Sequence, residues 1–118
     1  MSIKRLTPEQ FIALATYHDG VYWLNADGGD VIVTVPQGAD WEGYGLRGSK
    51  NGSITVDGAG IGFAIRDGSG YGDAIRRGNG KIGSALRYGT GGGYAIHTGS
   101  GAGDAIRRGN GGGCAFRR

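Results

Sequence analysis

The sequence predicts an all-β protein: a short β-solenoid of stacked ten-residue units, covered at its N-terminal end by one α-helix. Three observations lead to this fold class. Glycine contributes 28 of the 118 residues, a glycine-bounded motif recurs about every ten residues in the second half, and a helix-start signal precedes the repeats. Short units of this kind cannot bury a face alone, so they gain stability by stacking on their neighbours.

Length and composition leave room for a single domain over residues 1–118 with a thin core. Hydrophobic residues make up 38% of the chain, which is low for a globular protein yet too high for plain disorder. A collagen triple helix is excluded, because the glycines do not fall at every third position and only two prolines are present. We therefore expect a repetitive core.

Residues 1–20 are predicted to form a helical cap. Thr7 is a typical N-cap, Pro8 takes the first helical position, and Gln10 closes a capping box. The predicted apolar face comprises Phe11, Leu14 and Ala15, with His18 at its end, and Asp19-Gly20 is predicted to end the helix. Because open solenoid ends expose unpaired strand edges, we expect this helix to cover the first rung.

Residues 21–60 are predicted to be degenerate copies of the repeat. Three short apolar stretches, residues 21–24, 31–35 and 54–56, have the β-branched and aromatic character of strands. Glycines spaced ten residues apart separate these stretches, and this register continues through the regular repeats that follow. This register comprises Gly28, Gly38, Gly48, Gly58, Gly68 and Gly78, and after one extra residue near Lys81-Ile82 it resumes at Gly89, Gly99 and Gly109.

Residues 61–118 carry the regular form of the repeat. The copies span residues 62–70, 72–80, 83–91, 93–101, 103–111 and 113–118. Each copy predicts a short strand followed by a glycine-rich turn, since glycine supplies the positive φ angles of tight corners. Two or three units would complete a turn, and the identity of the second and fifth copies hints at three. An antiparallel β-meander is the alternative architecture, because Gly-Asn-Gly is also a hairpin signal.

Side chains alternate along each predicted strand, so the repeat has two faces. The predicted interior comprises Ile65, Ile75, Leu86, Ile96, Ile106 and Phe116. The opposite face is predicted to show an arginine ladder on a floor of alanines. This ladder comprises Arg66, Arg76, Arg87, His97, Arg107 and Arg117, and with the adjacent Arg77 and Arg108 it forms the predicted partner-binding surface. The alternative is that these arginines only solubilise the face.

The charge distribution suggests an acidic partner. The net charge is +3, but residues 1–60 hold four Lys/Arg against seven Asp/Glu, whereas residues 61–118 hold nine against three. An acidic protein surface is the favoured partner of the basic half. Nucleic acid is the alternative, with the ladder on phosphates and Tyr71, Tyr88 and Tyr94 stacking on bases.

The sequence predicts neither catalysis nor a cofactor. His18, His97 and Cys114 are the candidate nucleophilic or basic groups, and they form no recognisable triad. A metal is not expected, because a calcium-binding repeat needs an acid in every copy. The comparable positions hold Phe63, Asp73, Ser84, Tyr94, Asp104 and Cys114. A single cysteine forms no internal disulfide, and the apolar run at residues 11–15 is too short for a membrane span, so we expect a cytoplasmic protein.

The repeat Gly-Asp-Ala-Ile-Arg-x-Gly-x-Gly resembles decapeptide-repeat proteins of phages, prophages and other bacterial mobile elements. The resemblance covers residues 61–118. It implies a small non-enzymatic protein that occludes a rival's machinery, as inhibitors of CRISPR effector complexes or toxin-immunity proteins do. The target would then be a bacterial effector complex or a toxin. A structural element of a virion or fibre is a further alternative, and the C-terminal edge is a candidate surface for homodimer formation.

Overall fold

Two mainly parallel sheets, built from alternate ten-residue units, form the walls of a β-solenoid of about four turns. The structure is a computed structural model that describes residues 3–36, 43–78, 83–98, 103–109 and 111–117. Its elements are β1 (Ile3–Leu6), α1 (Pro8–Leu14), β2 (Thr16–His18), β3 (Val21–Asn25), β4 (Asp30–Thr34), β5 (Gly43–Arg47), β6 (Ile54–Asp57), β7 (Phe63–Asp67), β8 (Ala74–Arg77), β9 (Ala85–Arg87), β10 (Ala95–Thr98), β11 (Ala105–Arg107) and β12 (Ala115–Arg117).

Successive strands of the repeat alternate between the two sheets. The strand order is β1-β4-β6-β8-β10-β12 in the sheet that we call sheet A, and β2-β3-β5-β7-β9-β11 in sheet B. Every pair is parallel except β2 with β3. The predicted solenoid is therefore confirmed, with two units in each coil rather than three. The meander alternative is wrong, because consecutive repeats cross over to the opposite sheet instead of pairing.

The register places equivalent residues of successive coils side by side. Ala64 pairs with Ala85 across the extra residue, and Ala85 pairs with Ala105. The insertion near residues 81 and 82 lies outside the described residues, but the strands on either side of it keep their register. In sheet B, β3 pairs with β5 and β5 pairs with β7; in sheet A, β4 pairs with β6 and β6 pairs with β8. These upstream strands therefore belong to the same coil as the strands of the regular repeat.

Glycine forms the corners of the coil, as its spacing predicts. The described members of the glycine register all have positive φ; they are Gly28, Gly48, Gly58, Gly68, Gly78, Gly89 and Gly109. Gly38 and Gly99 lie outside the described residues. At Gly68 a Cβ atom would lie only 2.5 Å from the carbonyl oxygen of Gly48 in the coil below. The corners therefore need glycine both for conformation and for close stacking.

The N-terminal helix caps the coil. Thr7 and Gln10 form the predicted capping box, with Gln10 N donating to Thr7 Oγ1 at 3.1 Å and Thr7 N donating to Gln10 Oε1 at 3.0 Å. Phe11 is completely buried, and its ring packs edge-on against that of Tyr44, with the ring centroids 5.2 Å apart. The helix packs on β1, β3 and β4, so it covers the first rungs as predicted.

The end of the helix differs from the prediction. It stops at Leu14, whose side chain is exposed instead of packing with Phe11. Asp19 and Gly20, with φ of 51° and 86°, form the turn of the β2–β3 hairpin. Two adjacent residues with positive φ are typical of a two-residue hairpin turn. Asp19-Gly20 therefore connects β2 to β3 and does not end the helix.

The upstream core is aliphatic and aromatic. It is formed by inward side chains that include Val31, Val33, Val35, Tyr44, Leu46, Ile54 and Val56, all buried. From the third rung onward the same interior columns continue with other residue types. In sheet B, Leu46 pairs with Arg66, and in sheet A, Val56 pairs with Arg76. The interior thus changes from aliphatic to cationic along the solenoid axis.

Candidate functional site

The arginine ladder lies inside the solenoid. Arg66 and Arg87 have no solvent-exposed surface, and Arg76 and His97 are each 2% exposed. Alanines two residues before them are also fully buried; these are Ala64, Ala74, Ala85 and Ala95. The prediction that these four ladder members form an exposed face is therefore wrong. The alanine-arginine face of the repeat is its interior.

The predicted aliphatic interior is the outer face. Side chains of Ile75, Leu86, Ile96 and Ile106 are half-buried, and Phe116 is 43% exposed. Ile65 is buried, but it alternates along β7 with the inward-pointing Ala64 and Arg66. Its side chain therefore lies on the outward face of the strand in sheet B. The faces are inverted relative to the hydrophobic-inside rule that the sequence prediction followed.

Backbone carbonyls of the corners explain the inversion. Nε of Arg66 donates to the carbonyl oxygen of Gly52 at 2.7 Å, and Nη2 donates to that of Lys50 at 2.8 Å. Nη1 reaches the carbonyl oxygens of Leu46, at 3.4 Å, and of Asp67. A glycine-rich corner packed on its neighbours has carbonyl groups that need donors, and an unsatisfied buried carbonyl is costly. One guanidinium supplies several donors at once.

The same geometry recurs in other coils. Arg76 donates from Nε to the carbonyl oxygen of Gly62 at 2.8 Å and from Nη2 to that of Gly60 at 2.6 Å. Arg87 donates in the same way to Gly72 at 2.7 Å and to Gly70 at 2.8 Å. Arg107 donates to Gly93 at 3.0 Å and to Gly91 at 2.8 Å. Each arginine therefore fills the corner of the coil below its own strand. Alanine beside it leaves room for the long side chain between the two sheets.

The buried guanidinium groups stay charged at neutral pH. Burial lowers the pKa of Arg66 and Arg76. For Arg87, burial and the neighbouring charges of Arg66 and Arg107 lower the pKa to about 10. The acceptors of these cations are backbone carbonyls, and charge-assisted hydrogen bonds offset much of the cost of removing them from water.

With three arginines buried, the surface of the described residues is nearly neutral. Seven basic and eight acidic side chains are exposed or half-buried. The basic ones are Lys4, Arg5, Arg47, Lys50, Arg77, Arg107 and Arg108; the acidic ones are Glu9, Asp19, Asp27, Asp30, Asp57, Asp67, Asp73 and Asp104. In the described part of residues 61–118 the excess of positive charge is interior, because three basic and three acidic side chains are exposed or half-buried there.

The remaining predicted partner-binding residues are Arg77, Arg107, Arg108 and Arg117. Arg77 and Arg108 point outward on different sheets, and Arg77 Nε lies 3.5 Å from a carboxylate oxygen of Asp57. Arg107 is half-buried, and the side chain of Arg117 lies outside the described residues. A role of Arg77 or Arg108 in binding a partner stays a prediction.

An exposed aromatic and aliphatic surface lies on the outside of sheet A. The rings of Tyr94 and Phe116 are 5.5 Å apart, and the side chains are 38% and 43% exposed. Ile75 and Ile96 lie beside them, in register with Phe116. We call these four residues together with Tyr71, which is 58% exposed and covers Gly92, the outer patch. The sequence predicts Tyr71 and Tyr94 as base-stacking residues but places the isoleucines and Phe116 in the core, so it does not predict this surface.

Side chains beside the patch connect one rung to the next. Ser53 Oγ accepts a hydrogen bond from Asp73 N at 2.9 Å, and Asp73 Oδ1 accepts one from Tyr94 N at 2.8 Å. On sheet B, Ser84 Oγ accepts from Asp104 N at 3.1 Å. Asp73 and Ser84 are two of the positions comparable with those of calcium-binding repeats. In the structure Ser53, Asp73 and Ser84 accept hydrogen bonds from amides of the next coil.

Metal ligands, the two candidate reactive groups and the helix length also bear on the sequence predictions. The described ranges contain no group of three or more histidine, cysteine or acidic side chains that could hold a metal ion. Cys114 and His18 are both exposed at the surface. The only helix in the described part of the chain, α1, is too short to cross a membrane.

Comparisons with known proteins give no family for this chain: no family model, no curated protein and no solved structure matches it. The resemblance of residues 61–118 to decapeptide-repeat proteins of bacterial mobile elements therefore stays a prediction. So do the inhibitory role and the cytoplasmic location.

Proposed function

We propose that the protein is a non-enzymatic binding protein that docks a partner protein on the outer patch of sheet A. The single observation that carries the proposal is the exposed Tyr94–Phe116 ring pair beside the isoleucines of the same face. Aromatic side chains are enriched at protein interfaces, and tyrosine is enriched among the residues that contribute most of the binding energy. Occlusion of a partner's working surface, as in the predicted inhibitors, is one consequence of such binding.

Rigidity of the patch supports this function. Ile75 and Ile96 stand on β8 and β10, which are hydrogen-bonded to parallel strands on both sides, and Phe116 stands on β12, which pairs with β10. Arginines fix the corners that precede these strands: Arg87 donates to the carbonyl oxygens of Gly70 and Gly72 before β8, and Arg107 donates to those of Gly91 and Gly93 before β10. A preorganised surface binds without paying for the ordering of its side chains and loops. The partner contact differs from the one predicted, since it uses aromatic rings rather than a basic ladder.

Nucleic-acid binding is less well supported than protein binding. Affinity for phosphates needs accessible cations, and Arg66, Arg76 and Arg87 donate to backbone carbonyls inside the coil. Binding to an acidic protein surface through the ladder loses its basis for the same reason. The hypothesis of a virion or fibre element stays a prediction.

The test is a comparison of two charge-introducing variants. Tyr94→Glu combined with Phe116→Glu places two carboxylates in the patch, and Tyr17→Glu is the matched control at a 60% exposed tyrosine on the cap. A partner captured from host lysate with wild-type protein is purified, and its affinity for all three proteins is measured by calorimetry. We expect the patch variant to bind at least about tenfold more weakly and the control to be unchanged.

Two results would contradict the proposal. Equal affinities of the wild-type protein and the folded patch variant would place the contact elsewhere. Tight binding of random double-stranded DNA or RNA that weakens steeply with added salt would favour the nucleic-acid alternative.

A further inference from the structure

The outer face of sheet A carries three columns of side chains. Neighbouring strands pair residue by residue, and alternate residues of each strand point outward. The middle column comprises Ile32, Thr55, Ile75, Ile96 and Phe116. The column at the beginning of the strands comprises Asp30, Ser53, Asp73 and Tyr94, and the column at their end comprises Thr34, Asp57, Arg77 and Thr98. A mainly apolar column thus lies between two mainly polar ones.

The two borders of the outer patch carry opposite charges at β8. Asp73 lies two residues before Ile75 and Arg77 lies two residues after it, so the three side chains point to the same face. Arg77 is exposed, and its Nε lies 3.5 Å from a carboxylate oxygen of Asp57. Asp73 is half-buried, and its Oδ1 accepts a hydrogen bond from Tyr94 N at 2.8 Å. An acidic side chain therefore borders the patch on one side and a basic side chain on the other.

This arrangement of charges is complementary to itself. When two copies face each other across a two-fold axis parallel to the solenoid axis, the beginning of each strand lies opposite the end of the same strand in the second copy. Ile75 then meets Ile75 of the second copy, and Asp73 meets Arg77. A two-fold axis parallel to the strands and centred on β8 would instead oppose Asp73 with Asp73 and Arg77 with Arg77. Because like charges in contact across an interface are unfavourable, the charges select the first axis.

Side-chain sizes at β10 fit the same axis. Tyr94 directly precedes this strand and is 38% exposed, whereas Thr98 ends it and is half-buried. The axis parallel to the solenoid places Tyr94 opposite Thr98 of the second copy, with Ile96 opposite Ile96. A large ring thus faces a small side chain at both borders of the strand, which permits the close approach that a packed interface needs.

We propose that a second copy of this chain covers the outer patch when no other partner protein is bound, with the two-fold axis parallel to the solenoid axis. Ile75, Ile96 and Phe116 of the two copies pack together at the centre of the interface. Asp73 of each copy pairs with Arg77 of the other at its borders. The inference rests on the proposed function in taking the outer patch to be a protein-docking surface, and it names a protein that this surface fits.

The size of the face predicts a weak dimer. Adjacent strands lie about 4.8 Å apart and alternate residues about 6.6 Å apart, so the strands from β4 to β12 with their three columns cover roughly 500 Å² in each copy. The total of about 1,000 Å² lies at the lower limit of specific interfaces. We therefore expect a dissociation constant in the micromolar range rather than a permanent dimer. A dimer of this strength leaves the patch accessible to a tighter-binding partner.

The test is sedimentation equilibrium of the purified 118-residue chain, at protein concentrations from about 10 to about 500 µM, which suit an interface of this size. Arg77→Asp opposes carboxylates at both borders of the interface, and Asp73→Lys opposes cations there. We expect each variant to dimerise at least about tenfold more weakly than the wild-type protein. The matched control is Arg108→Asp, which reverses an exposed charge directly after β11 of sheet B and is expected to leave the dissociation constant unchanged.

An equimolar mixture of Arg77→Asp and Asp73→Lys tests the contact between these two residues. In the mixed dimer the two substituted side chains, which have opposite charges, face each other, and the native Asp73 faces the native Arg77. We expect the mixed dimer to regain an affinity within about threefold of wild type. Asp73→Asn keeps an acceptor oxygen for Tyr94 N, so it tests the charge of residue 73 even where Asp73→Lys does not fold. We expect it to dimerise about threefold more weakly than wild type.

Two outcomes would overturn the second-copy inference. One is a wild-type protein that stays monomeric over the whole concentration range. The other is a dimer whose affinity is the same for the wild-type protein and for Arg77→Asp, because only the axis parallel to the solenoid opposes unlike charges at this position. The Tyr94→Glu/Phe116→Glu variant is expected to be monomeric. A monomeric wild-type protein that still binds a lysate partner through the patch would leave the proposed function intact, so the two failures are distinguishable.

Discussion

Arg87 Nε donates a hydrogen bond of 2.7 Å to the carbonyl oxygen of Gly72, which lies fifteen residues earlier in the coil below. This contact joins the two residue types that define the repeat. Glycine at the corner lets coils stack so closely that a Cβ at Gly93 would lie 3.0 Å from that same Nε. The close stacking leaves carbonyl groups without water, and arginine supplies the donors. Glycine and arginine thus act as one structural device.

Removal of one buried guanidinium is expected to destabilise the solenoid strongly. Arg87→Ala leaves several corner carbonyls without a donor and opens a void, for which we expect a loss on the order of 3 kcal/mol in the free energy of unfolding. Arg87→Lys keeps the charge but not the fork, and an intermediate loss is expected. Chemical denaturation followed by circular dichroism measures both.

The matched control is Arg108→Ala. Arg108 directly follows β11 in sheet B, and its side chain is exposed. Its free energy of unfolding is expected to stay within about 0.5 kcal/mol of wild type, because surface substitutions away from special contacts cost little. Equal losses for Arg87→Ala and Arg108→Ala would contradict the structural role assigned to the buried arginine.

The sequence was sufficient to predict the solenoid, the corners and the cap. Ten-residue spacing of Gly48, Gly58 and Gly68 reports a backbone requirement that no other residue type meets, so periodicity and conformation agree. The capping box of Thr7 and Gln10 is local and depends little on tertiary contacts. Two units per coil could not be predicted from the sequence, since the number depends on how far each corner turns.

The orientation of the faces could not be predicted from hydrophobicity. In β7 one face of the strand carries Ala64, a small apolar residue, and Arg66, a long cationic residue. Ile65 lies between them in the sequence and points to the opposite face. A preference for isoleucine in the core favours the wrong face. What decides is the hydrogen-bonding requirement of the corner carbonyls, which appears only when coils stack. For the same reason the sequence did not predict that Phe116 is exposed on the outer patch.

A corner glycine is expected to tolerate no side chain. Gly68 has φ of 112°, and a Cβ there would lie 2.5 Å from the backbone oxygen of Gly48. Gly68→Ala therefore forces both a strained backbone and a displaced coil, and we expect a loss of at least about 2 kcal/mol. Thermal unfolding by calorimetry is the measurement.

Gly112→Ala serves as the control for the corner glycine. A Cβ at Gly112 meets no atom within 4 Å, and its φ is not positive. Its stability is expected to equal that of the wild-type protein or to exceed it slightly, because alanine restricts the unfolded chain. An unchanged melting temperature for Gly68→Ala would refute the stacked-corner geometry.

Adjacent residues of β8 test which face is interior. Ala74 is fully buried, and Ile75 is half-buried on the outer patch. Ala74→Leu adds bulk between the sheets, where Arg76 already fills the space next to it, so we expect a loss of about 2–3 kcal/mol from overpacking. Ile75→Thr keeps a β-branched side chain on the outer face of a strand, and we expect a loss below about 1 kcal/mol. Denaturation midpoints of the two variants provide the comparison. A larger loss for Ile75→Thr than for Ala74→Leu would mean that isoleucine, and not alanine with arginine, faces the core.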